Sequence, residues 1–155
     1  ALRLWPPDQS SHAHKTIVWI HTLLIFGSAL YLGIADWNAL NWPLLPRLVI
    51  GIPIILVANV VVWSGVFQLG FAATSGEATG LQTGGLYRYS RNPQYVADIA
   101  LLVGWAVLSA SVWALPVIMI GLIILLLAPF AEEGWLTEKY GSKYIDYRSK
   151  VRRYL

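Results

Sequence analysis

Two stretches of this sequence carry no charge for the full length of a bilayer crossing. Ile17–Ala35 (IVWIHTLLIFGSALYLGIA) runs nineteen residues and Leu48–Phe67 (LVIGIPIILVANVVVWSGVF) twenty, with no Asp, Glu, Lys or Arg in either. An α-helix rises about 1.5 Å per residue, so roughly 20 residues cross a hydrocarbon core of about 30 Å. Backbone groups in lipid must bond within their own segment, so helix is expected for both. Two further spans follow. Pro93–Leu108 is shorter and contains Asp98, whereas Trp113–Phe130 has eighteen uncharged residues. Only Ser109–Val112 separates them, a connection short enough to predict a tight hairpin of antiparallel neighbours. Pro53 and Pro116 within spans two and four predict kinks, with neighbouring helices satisfying the freed carbonyls. The expected fold class is an all-α integral membrane protein of four transmembrane helices, forming one domain over residues 1–155.

Composition supports the bilayer as solvent. The chain is 57% hydrophobic and 12% charged, against about 25% charged residues in an ordinary soluble domain. A soluble protein this apolar would expose large greasy patches. The absence of cysteine excludes disulfides, thiolate metal sites and a Cys nucleophile. Of the three histidines, His12, His14 and His21, only His21 falls within an apolar run, so a bis-histidine haem lacks its second ligand. His21 is read as structural or interfacial. No metal and no nucleic-acid partner is expected. The opening Ala1–Ser11 is polar and contains proline, and does not read as a signal peptide.

Lysine and arginine set the expected orientation. Arg3 and Lys15 precede span one, and Arg88 and Arg91 lie between spans two and three. Lys139, Lys143, Arg148, Lys150, Arg152 and Arg153 follow span four, while the opposite side has Arg47. Both termini and the loop 71–92 are therefore expected in the cytoplasm. The tail 131–155 interleaves Trp135, Leu136, Tyr140, Tyr144, Tyr147, Val151 and Tyr154 with charges, interrupted by Gly141. It reads as one or two amphipathic helices on the membrane surface or capping the bundle.

Two segments stand out chemically. The first is Gly84–Tyr95, GGLYRYSRNPQY. As a helix start it is well made: Asn92 suits the cap and Pro93 the first helical position. Its tyrosines would join an aromatic belt while Arg88 and Arg91 snorkel to phosphates. The second is Glu132-Glu133, directly after span four. Carboxylates are poor choices at a helix C-terminus, where the macrodipole is negative. Either the helix continues through them, or something cationic requires them. Asp98, about one turn inside span three, is an intramembrane acid and hence a functional candidate. A structural pair with Arg91, or with a polar group on another helix, is the alternative. Asn59 and Gln68 are expected as interhelical hydrogen-bond partners.

Together the two segments resemble the isoprenylcysteine carboxyl methyltransferase and phospholipid methyltransferase superfamily. The similarity rests on Gly85, Tyr87, Arg88, Arg91, Asn92, Pro93 and Tyr95, then a hydrophobic hairpin. Glu132, Glu133, Leu136, Tyr140, Gly141, Tyr144 and Tyr147 complete it. It covers the chain from about Leu81 onward. Asn92 stands where the eukaryotic carboxyl methyltransferases have His, as in many bacterial-type relatives, and Leu86 and Ala97 also depart from the common pattern. The resemblance implies S-adenosylmethionine as donor, with S-adenosylhomocysteine as product. It implies a donor site of Gly85, Tyr87, Arg91, Asn92, Pro93, Tyr95, Glu132, Glu133 and Leu136, and Glu133, Arg91 and Asp98 as catalytic candidates. The side-chain chemistry agrees. Carboxylates can hold the donor's ammonium or ribose, Arg91 can fork its carboxylate, and Tyr87, Tyr95 or Trp135 can face the sulfonium.

The acceptor implied is a lipid or small hydrophobic molecule bearing a carboxylate, amine or thiol. Phospholipid-type acceptors rank ahead of a prenylcysteine carboxylate. The membrane expected is a bacterial or archaeal inner one, with the donor site facing the cytoplasm. A non-catalytic scaffold that binds a soluble partner through its basic tail is the reading from another class. A transporter fits poorly, since there are no inverted repeats or central charges.

Overall fold

A computed structural model describes residues 12–70 and 80–155. The expectations for Ala1–Ser11 and for residues 71–79 of the connecting loop lie outside the described residues. The described residues are all-helical, without strands. Helix α1 is His12–Ala35. Helix α2 is built from three consecutive pieces: one turn Leu44–Pro46, a π-helical turn Arg47–Gly51, and Ile52–Leu69. A short 3₁₀ turn, Gly85–Arg88, precedes α3, Pro93–Ser109. Helix α4 is Ala114–Tyr140 and α5 is Ser142–Lys150.

The prolines act differently from expectation. Pro53 has no N–H to give and its ring crowds the preceding turn. The chain accommodates it by the π turn immediately before, the usual way a helix absorbs a misfit residue. Pro116 sits in the first turn of α4, where no helical hydrogen bond is lost. The proline inside α4 is Pro129, and it is buried.

Leu44–Gln68 and Ala114–Tyr140 are each long and apolar enough to cross a membrane, and Trp19–Ala35 and Pro93–Ser109 are shorter apolar helices. Their outer faces are greasy: Leu23, Leu45, Val60, Phe67 and Leu127 are all well exposed. At 27 residues, α4 extends about 40 Å, some 10 Å more than a hydrocarbon core. The part after Phe130 carries the charged residues Glu132, Glu133, Glu138 and Lys139. The expected end of span four is thus not a helix end, because α4 runs through Glu132 and Glu133 to Tyr140.

Helix α3 is the central element, packed against α1, α2 and α4. Toward α2 it presents Gly104, where an added Cβ would lie 2.9 Å from Ile55 Cγ1 and 3.2 Å from the Gly51 carbonyl. Toward α1 and α4 it presents Leu102, which joins Ala29, Ala114 and Ile118 in the buried core. Trp105 covers Gly33 and donates its indole N–H to the Ala29 carbonyl at 2.8 Å.

The short α3–α4 connection is pinned by two charged residues. Arg47, only 2% exposed, donates from Nε and Nη2 to the Leu108 carbonyl at 2.9 and 2.7 Å, closing the C-terminal end of α3. Its guanidinium stacks 4.7 Å from the Trp37 ring centre. Asp36 accepts from the Val112 and Trp113 amides at 2.8 and 2.9 Å and from Ser111 Oγ at 3.0 Å, capping α4. The Trp113 amide is the main influence holding its carboxyl below the usual range. Asn59 and Gln68 do not bridge the spans. Asn59 donates to Ile55 of its own helix, and Gln68 accepts from the Leu86 amide in the 3₁₀ turn. His21 bonds the Ile17 carbonyl of its own helix, in keeping with a structural role.

Candidate functional site

The charged end of the bundle is assembled from three segments: the 3₁₀ turn leading into α3, the projecting end of α4, and α5 with the residues after it. Gly85 starts the first at φ +57°, a left-handed conformation that suits glycine, and the Gln68 amide abuts the place of a Cβ. The turn delivers Tyr87 into a buried aromatic cluster with Tyr144 and Tyr147, against which Leu136, Tyr140 and Val151 pack. Tyr147 donates its hydroxyl to the Tyr87 carbonyl at 2.6 Å. Gly141, at φ +56°, makes the reversal between α4 and α5 that places Tyr144 and Tyr147 there.

Arg91 follows, with a side chain 9% exposed. Its Nη1 lies 3.1 Å from Glu133 Oε1 and donates to the Tyr144 hydroxyl at 3.4 Å. Glu133 also receives a two-pronged contact from Arg153: Nε to Oε1 at 2.6 Å and Nη2 to Oε2 at 2.9 Å. One residue earlier, Glu132 accepts a hydrogen bond from the Tyr95 hydroxyl of α3. The structure therefore joins Arg91 to Glu133 and Tyr95 to Glu132, linking the two segments singled out from the sequence.

Asn92 holds the cap position of α3, yet its side chain makes no cap hydrogen bond. The Asn92 Nδ2 donates instead to the Arg153 carbonyl at 2.9 Å. An Arg91–Asp98 pair, one of the alternatives the sequence left open, does not form, because Arg91 precedes the helix and turns to Glu133 on α4. Asp98 lies farther along α3 and makes no hydrogen bond or ion pair with the described residues. Gly85, Pro93 and Leu136 are accounted for locally by the turn, the helix start and the aromatic cluster.

Electrostatics divide the ionisable groups. The Arg153 hydrogen bond, aided by the nearby Arg91 charge, holds the Glu133 carboxyl below its usual range despite partial burial. Burial pushes the Tyr147 hydroxyl up to about 12 and also raises Tyr87 and Tyr144. None of these three phenols is thus a base at neutral pH, while Glu133 is held ionised. Among the described residues, three buried side-chain atoms lack a partner: Arg91 Nε, Gln94 Nε2 and Ser109 Oγ. The first belongs to this cluster. No group of three or more metal-binding side chains occurs among the described residues.

Arg153 was visible in the sequence only as one charge among several. Neither helical periodicity nor the motif spacing pointed to it, since Val151 lies beyond the end of α5.

With this geometry in place, the comparison with protein families is decisive. The phospholipid methyltransferase family matches residues 46–143. The chain belongs to that family. The matched region holds α2 from Pro46 onward, α3, α4 and every residue of the sequence-derived site from Gly85 to Leu136. Membership in the phospholipid methyltransferase family implies a methyltransferase with lipid substrates, and with the apolar helices it suggests membrane association. No curated protein and no solved structure matches the chain.

Proposed function

We propose that the protein is a multi-pass membrane methyltransferase that moves a methyl group from S-adenosylmethionine to a lipid or small hydrophobic acceptor. The observation that carries this reading is the family match, which spans both the RNP-x-Y and the Glu-Glu segments. In this reading the four apolar helices cross the bilayer, with the Arg91–Glu133 cluster and both termini on the cytoplasmic side. The basic residues concentrated at that end support the orientation.

The cluster suits a donor of this chemistry. Its carboxylates can take an ammonium or ribose hydroxyls. Arg91, whose buried Nε has no partner, can pair a carboxylate. Asn92 offers both donor and acceptor for the adenine or the donor's tail. Tyr95 and Tyr87 supply aromatic surface. When bound, the donor supplies an activated methyl group on a sulfonium. The chain's own work is alignment and exclusion of water, where fixing reactants in line contributes up to about 7–11 kcal/mol. A carboxylate acceptor needs no base. An amine acceptor must lose a proton, and a carboxylate does this best when no guanidinium already holds it. Glu133 is held by two, so Asp98, which no guanidinium holds, is the acid–base candidate. Glu133 and Arg91 then act electrostatically. The acceptor reaches the site sideways between helices.

Calorimetric titration of the purified protein in detergent with S-adenosylhomocysteine tests the reading. Saturable one-site binding, weakened about tenfold or more by Arg91→Ala, is expected. A folded sample that binds nothing would favour a non-catalytic scaffold.

A further inference from the structure

Both oxygens of Glu133 are already engaged, Oε1 by Arg153 and Arg91 and Oε2 by Arg153. The Arg153 guanidinium also lies 3.8 Å from the ring centre of Phe130. The segment around it is bonded at three consecutive residues. The Arg152 carbonyl accepts from the Arg91 amide at 2.9 Å. The Arg153 carbonyl accepts from Asn92 Nδ2 at 2.9 Å and Ser90 Oγ at 3.4 Å. The Tyr154 hydroxyl donates to the Leu126 carbonyl. A cover that swings open is drawn from weakly bonded chain; this one is a fixed strap across the mouth of α3. Glu132 faces elsewhere. One helical residue turns the side chain by about 100°, and its carboxylate meets Tyr95.

We propose that Arg153 is a positioning residue for the donor site and that the two adjacent glutamates have separate tasks. Arg153 and Arg91 hold Glu133 as an internal strut, which anchors the strap and fixes Arg91. Glu132, with Tyr95, is the carboxylate that meets the donor's ammonium. This rests on the donor-site reading above. Removal of Arg153 leaves Glu133, whose side chain is only 12% exposed, with Arg91 as its remaining ion-pair partner. That frees the strap and shifts Arg91 without touching the acceptor.

The test titrates S-adenosylhomocysteine into the full chain carrying Glu132→Gln, Glu133→Gln, Arg153→Ala, Arg153→Lys, or Glu133→Gln with Arg153→Ala. Thermal melts establish that each variant is folded. Arg153→Ala and Glu133→Gln are each expected to weaken binding about tenfold or more. The double variant should bind no more weakly than either single one, because both break the same strut. Arg153→Lys should recover part of the loss, since it keeps the charge but not the fork. In turnover the donor KM should rise while the acceptor KM holds. If Arg153→Ala does not fold, Arg153→Lys carries the test, with weaker binding at an unchanged melting temperature expected. Unchanged affinity in the Arg153 variants overturns the proposal. So do additive losses in the double variant, or tighter binding by Arg153→Ala, the mark of a cation that merely occupies the ammonium's place. Absence of binding by the wild-type protein overturns the donor-site reading itself, a result distinct from wild-type binding that Arg153 does not influence.

Discussion

Glu133 is the residue on which charge at this end of the bundle balances. Its carboxyl titrates below the ordinary value of 4.5 because two guanidiniums prefer it ionised. The stabilisation is therefore complete above that value and is lost as pH falls through the depressed one. Melting temperature followed from about pH 7 to about pH 3 should drop in the acid limb. Glu133→Gln should lower the neutral-pH plateau and flatten that limb; an unaltered acid limb would show that Glu133 is not the group responsible. The sequence made this residue conspicuous, because two carboxylates at the end of an apolar span are out of place electrostatically. Of the two explanations it allowed, helix continuation and a cationic partner, the structure has both: α4 continues, and Arg91 and Arg153 supply the cations. Arg153 itself was illegible. Its partner is brought to it by the Gly141 reversal and the course of the strap, and neither leaves a periodic trace. Asn92 misled for a related reason. Its type and position fit a cap, but a partner distant in sequence competes for its amide.

At the scale of elements, α2 and α3 meet through glycine. An added Cβ on Gly51 would sit 2.9 Å from Leu108 Cβ and 3.1 Å from the Gly104 carbonyl, with Gly104 reciprocally tight. Without a hydrophobic driving force between helices in lipid, such close backbone approach is the main source of packing. Gly104→Ala is expected to destabilise by about 1–3 kcal/mol through overpacking. Thermal unfolding in detergent measures it, and an unchanged melting point would mean that the helices separate freely there. The apolar helices were easily read from hydropathy because apolar length is a bulk property of a segment, and two of the four are long enough to cross a membrane. Their ends were not. The π turn before Pro53 and the continuation of α4 to Tyr140 depend on how backbone carbonyls find partners, which residue type alone does not fix. The Asp36 and Arg47 clamps escaped notice for the same reason: each charge serves helix ends supplied by another part of the chain.

For the molecule as a whole, the absence of cysteine makes the four-span topology directly testable. Ser149 on α5 and Val112 between α3 and α4 are both exposed. Ser149→Cys should react with a membrane-impermeant maleimide only from the cytoplasmic face, and Val112→Cys only from the opposite one. Labelling of both from one side would refute an odd number of crossings between them. The strap has a consequence for how the protein is made. Asn92 and Arg153 are 61 residues apart in the chain, and all of α3 and α4 lies between them. Glu133 is made twenty residues before the arginine that completes its environment. The cluster at the start of α3 can therefore close only once the strap itself has been translated and has left the ribosome, so its assembly is a late event in the making of the chain.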